Sequence, residues 1–232
     1  MKLKRSKDRK VANSLTASGN VRIANSFGLP AGRDYSCPAA TSICSRICYA
    51  GKLEKIYPGV KENLMHNWDL LKDADHDTME NLLMDMIDEF RAECVKWDAP
   101  LAFRIHWDGD FFNSEYAFAW KHVILNNPDI QFWVYTRVES AAYMLKGMDN
   151  LALYFSGDSE NFEAANRLRE HGIKVASLHD TFDKAKDALA LIGERSAVCP
   201  EQRKQIPLNG ACIACGICVK GKVNISFSIS KK

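Results

Sequence analysis

From Pro100 onward the chain alternates short apolar runs with amphipathic stretches, and this rhythm narrows the possible folds more than any other feature. Leu101–Trp107, Ile130–Tyr135, Leu151–Phe155, Ile173–Leu178 and Ser196–Val198 read as strands. Ser114–Leu125, Glu139–Lys146, Glu160–Glu170 and Thr181–Ile192 read as helices between them. Breakers follow them: Asn126-Asn127-Pro128, Gly147, His171-Gly172 and Gly193. Val21–Phe27 supplies a further strand at the start, which makes six. Strands separated by helices pair in parallel through right-handed crossovers. The pattern therefore predicts an α/β fold, either a doubly wound sheet or a partial barrel.

Two helices precede the regular part. One runs near Lys61–Lys72, where Leu64, Trp68 and Leu71 recur at helical spacing. The next begins at Asp77, an N-cap with Glu80 three residues on, and carries the stripe Met79, Leu83, Met86, Ile87, Phe90 and Cys94. Cys94 reads as a core residue of that stripe.

In both candidate folds, chemistry gathers beyond the C-terminal ends of the strands. Three cysteines follow the first strand. His106, Asp108, Gly109 and Asp110 follow the second, and Thr136 and Arg137 the third. Ser156, Gly157, Asp158 and Ser159 follow the fourth, His179 and Asp180 the fifth, and Cys199 the sixth. Helix capping accounts for Ser159 and Thr181, and for Asp158 and Asp180 as the plainer reading. It does not account for His106, Arg137 or the cysteines, so one shared site is expected, with packing inside a barrel as the plainer reading of His106 and Trp107. Trp107, Phe111, Phe112 and Trp133 either line a pocket or fill the core.

Of eight cysteines, seven fall into two groups. Cys199-Pro200 followed by Cys212-x2-Cys215-x2-Cys218 has the spacing of a ferredoxin-type cluster, three thiolates in a run and a remote cysteine before proline. Structural zinc is the competing reading of four cysteines. The other group, Cys37-x6-Cys44-x3-Cys48, has three thiolates, one short of filling a cubane, and an open position suggests chemistry rather than scaffolding. A structural site completed by Cys94, His66 or a carboxylate is the alternative.

At 232 residues and 47% hydrophobic, the chain can build a core without disulfide staples. No apolar run reaches the ~18 residues of a membrane span. Met1–Lys10 is not followed by the apolar stretch of a signal peptide, so a cytoplasmic location and no membrane partner are expected. The net charge of +2 is uneven: residues 1–10 carry six cations against one aspartate, which leaves the remainder mildly acidic. Residues 1–15 read as a basic, flexible tail, 16–198 as the βα body and 199–232 as a cysteine-rich region. The tail could touch nucleic acid, but the body lacks a basic stripe.

The βα pattern, with three cysteines after the first strand, resembles the radical S-adenosylmethionine (SAM) superfamily. The usual motif there is C-x3-C-x2-C. Here Cys44-x3-Cys48 is followed by Tyr49, residue 51 is glycine, and the third cysteine lies upstream at Cys37. The resemblance implies a partial (β/α)6 barrel of parallel strands with a C-terminal cysteine-rich extension. It implies two clusters, both [4Fe-4S]. An open one on Cys37, Cys44 and Cys48 would chelate and reductively cleave SAM, and an auxiliary one would sit on Cys199, Cys212, Cys215 and Cys218. It further implies cofactor-binding roles for Asp108, Gly109, Asp110, Arg137, Ser156 and Ser159. The catalytic candidates are His106, Asp108, Asp110, Arg137 and His179. A ferredoxin or flavodoxin would supply electrons. The segment Ser36-Cys37-Pro38 through Cys48-Tyr49-Ala50, the Asn63 region and the cysteine-rich end also resemble the phage gene product 88 family, which would place the protein in a host cytoplasm. Two other classes fit the residues: a non-catalytic iron–sulfur redox protein, and a zinc-stapled nucleic-acid-binding protein.

Overall fold

The computed structural model describes residues 1–7, 10, 23–206 and 210–230. Its described strands form one sheet of seven, all parallel, in the order β1-β2-β3-β4-β5-β7-β6. These are β1 (Ser26–Gly28), β2 (Ala102–Asp108), β3 (Gln131–Thr136), β4 (Leu151–Gly157), β5 (Lys174–His179), β6 (Ser196–Val198) and β7 (Asn224–Ser228). Between β1 and β2 lie α1 (Ser42–Ile47), α2 (Tyr49–Ile56), α3 (Pro58–Leu71) and α4 (His76–Trp97). The next four strand connections carry α5 (Ser114–Leu125), α6 (Glu139–Leu145), α7 (Phe162–Glu170) and α8 (Phe182–Leu191). Two short helices, α9 (Ala211–Cys215) and α10 (Ile217–Lys220), join β6 to β7.

From β1 to β5, spatial order follows chain order. Right-handed crossovers that keep moving one way must place their helices on one face. That face holds the main core. The α4 stripe, Met79, Leu83, Met86, Ile87, Phe90 and Cys94, is buried as its spacing predicts. It packs with Phe103, Ile105, Trp120, Phe132 and Val134. Each such large apolar side chain contributes about 1.5–3 kcal/mol when fully buried. Cys94 lies inside this core, its Sγ 3.7 Å from the Pro100 carbonyl. Caps set the helix starts: Asn113 accepts from the Tyr116 N–H, and Thr181 from the Lys184 N–H. The α4 cap is Asp75, two residues ahead of the expected Asp77. Asn161, not Ser159, stands at the N-cap of α7.

The end of the chain departs from the expected design. The stretch Val223–Ile229 alternates apolar and polar residues, which by itself predicts an edge strand, yet β7 lies inside the sheet between β5 and β6, with Ile225 buried. The chain therefore turns back along the sheet after β6. A right-handed crossover that runs backwards puts its connection on the other face. Accordingly α9 and α10 cover the face away from α4–α8, against Trp133, Ala152, Tyr154 and Ala176. The cysteine-rich segment is thus a lid on the sheet rather than an appended extension. The sheet is open, with β1 and β6 at its edges, and has one strand more than the expected six-stranded partial barrel.

The N-terminus is also placed differently. Leu3 is buried, Ser6 bridges Ser26, and the Asn67 side chain both accepts from the Lys4 N–H and donates to the Lys4 carbonyl. Lys2 pairs with Glu89, Arg5 with Glu93 and Lys10 with Glu201. Residues 1–7 are therefore docked on α3 and α4, and three cations of the expected free arm are engaged by carboxylates. Residues 8, 9 and 11–15 of that arm, and the start of the strand expected from Val21, lie outside the described residues. No described helix is long and apolar enough to cross a membrane.

Candidate metal centres

The eight cysteines form no disulfide. The first group is built by a short helical excursion after β1. Thr41 caps α1 by accepting from the Cys44 N–H at 3.0 Å. Cys48 is both the last cap of α1 and the N-cap of α2, and its Sγ accepts from the Gly51 N–H at 3.3 Å. Cys37 precedes this excursion, beside the Ser36 hydroxyl.

The excursion lands on the C-terminal ends of β2, β3 and β4. Asp110 is buried there: its Oδ1 accepts from the Thr136 hydroxyl (2.6 Å) and the Phe111 N–H (2.8 Å), and its Oδ2 from the Arg137 N–H (2.8 Å). The Arg137 side chain crosses to Asp158, Nη1 to Oδ2 at 2.7 Å, and Thr41 donates to the same oxygen at 2.7 Å. One hydrogen-bonded chain thus links the cap beside Cys44 to three strand ends. Arg137 also faces the Cys44 sulfur, and Asp110 and Asp108 face Cys37.

Burial sets the charge states. It pushes the Cys37 thiol up to about 12, helped by Asp110, and raises Cys44 and Cys48 as well. For Cys44 the neighbouring Arg137 opposes that rise. Thiols in such surroundings ionise readily only when a metal takes the thiolate. Asp110 is raised to about 6 by burial against its hydrogen bonds. Asp108 is raised to about 8 by burial and then by the Glu54 carboxyl beside it. Its Oδ2 has no donor among the described residues.

Gly109 makes the junction possible. It holds φ +84°, and a Cβ there would lie 2.5 Å from the Ser36 Oγ and 2.9 Å from the Leu29 carbonyl. Only glycine lets the loop after β2 pass this close to the segment leading into Cys37.

The second group lies on the covered face. Cys199, Cys212, Cys215 and Cys218 line one small, almost wholly apolar cavity with Ile217 and Ile225. Gly216, at φ +68°, ends α9 and starts α10, so the chain turns sharply between Cys215 and Cys218. Burial raises Cys218 to about 11, against the hydrogen bond it shares with Tyr135. Arg104 lies over the Tyr135 ring at 5.8 Å and its charge is felt at both Cys218 and Asp108. Lys10 stands between the groups: its Nζ is 5.5 Å from the Tyr49 ring, and its carbonyl accepts from the Cys212 N–H at 2.9 Å.

Sulfur spacing tests the two metal readings. Tetrahedral zinc, with Zn–S of about 2.3 Å, sets its sulfurs about 3.8 Å apart. Among the described residues, no three cysteine sulfurs lie within 4.8 Å of one another, in either group. A cubane places its thiolates on separate irons and spreads them further than a tetrahedral zinc site does.

Other expected residues are placed elsewhere. His106 is buried in the helix-side core: Nε2 is 2.9 Å from the Tyr116 hydroxyl, and the ring packs on Phe27, Phe111 and Trp120. The cause is a register slip. Ser26 pairs with Arg104 but Gly28 with Asp108, so β2 carries extra residues opposite β1 and its alternation breaks before His106 reaches the strand end. His179 is half-buried against Phe162, close enough to Asp158 to feel its charge. Ser156 is half-buried on β4, and Ser159 is exposed in the turn before α7. Phe111 is core, Phe112 stacks on Tyr116, Trp107 packs on Ala50 and Leu64, and Trp133 lies under the C-terminal segment. Sequence reasoning missed Thr41, Glu54 and Arg104. The Thr41–Cys44 spacing, a hydroxyl three residues before the first helical cysteine, was a readable cap signal for Thr41.

The gene product 88 family matches residues 1–221 of the chain. The Gene 88 protein of Mycobacterium phage L5 is 49% identical over 241 aligned positions, covering 100% of this chain and 99% of the relative. The Gene 88 protein of Mycobacterium phage D29 is 46% identical, covering 99% of each. No solved structure matches. The radical SAM resemblance gains no support from these relatives, and the chain belongs to the phage gene product 88 family.

Proposed function

We propose that this phage protein is an iron–sulfur protein with two cysteine-held centres, one open to a small ligand and one closed. The reading rests on one observation above all: Cys37, Cys44 and Cys48 are brought to the C-terminal ends of three parallel strands, against the Asp110–Arg137–Asp158 chain. In α/β folds that edge is where ligands bind. Cys37, Cys44 and Cys48 would hold the open centre, and Cys199, Cys212, Cys215 and Cys218 the closed one, shielded by Ile217 and Ile225. A cluster at the open position would supply one-electron chemistry and a vacant coordination site. SAM is the candidate ligand, as an amine and carboxylate chelate.

The protein's own groups have narrower tasks. Arg137 presents its remaining N–H groups beside Cys44, where they would orient a carboxylate. Asp110 is a positioning residue: both its oxygens are engaged by Thr136, Phe111 and the Arg137 backbone, so it holds the loop rather than meeting the ligand. Tyr135 and Arg104 stand next to Cys218 and would stabilise thiolate charge in the closed centre.

Protein purified without oxygen tests this. About seven to eight irons per chain with matching sulfide are expected for two cubane clusters. Cys44→Ala should lose about half of the iron, and Cys215→Ala the other half. Zinc without sulfide would sink the proposal. The engagement of Asp110 and Arg137 by internal partners favours a second reading, an electron carrier that binds no SAM. A SAM titration that leaves the paramagnetic resonance of the reduced protein unchanged would select it.

A further inference from the structure

We infer that His76, Glu80 and His122 form a separate site for a divalent transition cation of the zinc type, clamping α4 to α5. His76 and Glu80 stand one turn apart at the start of α4, and His122 faces them from the last turn of α5. One carboxylate oxygen, Glu80 Oε2, lies 3.2 Å from His76 Nε2 and 2.8 Å from His122 Nδ1. All three ligand atoms fall within 4.8 Å of one another, and no other such group occurs among the described residues.

The spacing is that of a coordination sphere. A cation at about 2.0–2.1 Å from imidazole nitrogen and carboxylate oxygen places neighbouring donors roughly 2.8–3.4 Å apart, depending on geometry. Both gaps to Oε2 lie in that range, so little movement is needed to admit the ion. The Phe118 ring packs on both imidazoles, with centroids 5.1 Å from His76 and 4.3 Å from His122, and holds their orientation. The three side chains are a quarter to a third exposed, which leaves a route in from solvent and room for water as a further ligand.

The donor set separates this site from the cysteine centres. Two imidazoles and a carboxylate suit zinc, nickel, copper or non-haem iron. The triad also sits on the helix layer, across the sheet from the C-terminal cysteines. The inference is independent of the iron–sulfur reading.

Zn2+ is the probe. Full-length protein with its cysteine centres as purified is dialysed against Zn2+ without oxygen, alongside Glu80→Gln and His122→Gln. The wild type should retain one zinc more than either variant, because any zinc on cysteine cancels in the comparison. It should also melt several degrees higher with Zn2+ than without, a rise that both variants lose. X-ray absorption at the zinc edge of the wild type needs no variant: a nitrogen and oxygen shell near 2.0 Å is expected in addition to any sulfur shell near 2.3 Å. Equal zinc in all three proteins, or a spectrum with sulfur alone, overturns the site and leaves the triad as ordinary histidine–carboxylate hydrogen bonds.

Discussion

Arg137 and Asp158 form the most deeply buried ion pair among the described residues, Nη1 to Oδ2 at 2.7 Å, with the Asp158 side chain fully enclosed and Arg137 9% exposed. The pair ties the end of β3 to the end of β4 next to Cys44. Removing one member leaves a buried charge unpaired, which costs about 3–5 kcal/mol. Arg137→Met should therefore destabilise the protein by about that amount in urea unfolding, and Arg137→Met with Asp158→Leu by less than the sum of the two single changes. Strict additivity would show that the pair is not coupled.

Gly109→Ala tests the close approach of the loops. Backbone strain at φ +84° costs about 1–3 kcal/mol, and the contacts with Ser36 and Leu29 add to it. The melting temperature should fall, and iron should be lost from the Cys37 group while the C-terminal group keeps its share. Full retention of iron and stability would remove Gly109 from the account.

His106 makes acid stability predictable. Burial first, and Arg104 second, hold its imidazole down to about 3 from the usual 6.5. The unfolded chain takes up that proton below about 6.5 and the folded one does not. The contribution of neutral His106 is thus complete above pH 6.5 and is lost as pH falls towards 3, by up to about 1.4 kcal/mol per pH unit. Asp108 and Asp110, both raised, act in the opposite sense. The difference between wild type and His106→Gln isolates the imidazole: stability measured from pH 7 to pH 4 should fall more steeply in the wild type.

Cys94 should behave as a core residue and nothing else. Cys94→Ala is expected to lower stability by about 1 kcal/mol and leave iron and sulfide unchanged. Loss of a cluster in that variant would make Cys94 a ligand.

Asn67 anchors the N-terminal segment through two hydrogen bonds with the Lys4 backbone and one to the Gly28 carbonyl. Asn67→Ala leaves these groups unsatisfied, at a cost of about 1–3 kcal/mol. Residues 1–7 should become cleavable by trypsin in the folded variant while they resist in the wild type.

Periodicity and spacing determined much of this protein unaided. The α4 stripe, the helix over Ser114–Leu125, the cap at Thr181, the strand at Ser196–Val198 and the division of the cysteines were all legible, because each depends on side chains within about one or two turns of each other. The gathering of Asp110, Arg137 and Asp158 was legible as well, since parallel strands deliver their ends to one edge. Their tasks were not: that Asp110 is engaged by backbone groups, and that the Glu54 carboxyl lies beside Asp108 and raises it, depends on neighbours distant in sequence.

Three matters were settled only by the tertiary structure. A slip in the β1–β2 register turned His106 into the core, and no local pattern encodes which partner residue a strand will skip. Carboxylates on α4 drew the basic N-terminus onto the body, although its composition reads as a solvated arm. Insertion of β7 between β5 and β6 reversed the direction of travel along the sheet and so carried the last four cysteines to the face opposite the helices. Alternation along Asn224–Ser228 specifies a strand, and the sheet buries residues on both of its sides. Which two neighbours it joins is decided by the hydrogen-bonding edges left open by the rest of the sheet, and that information is spread over the whole chain.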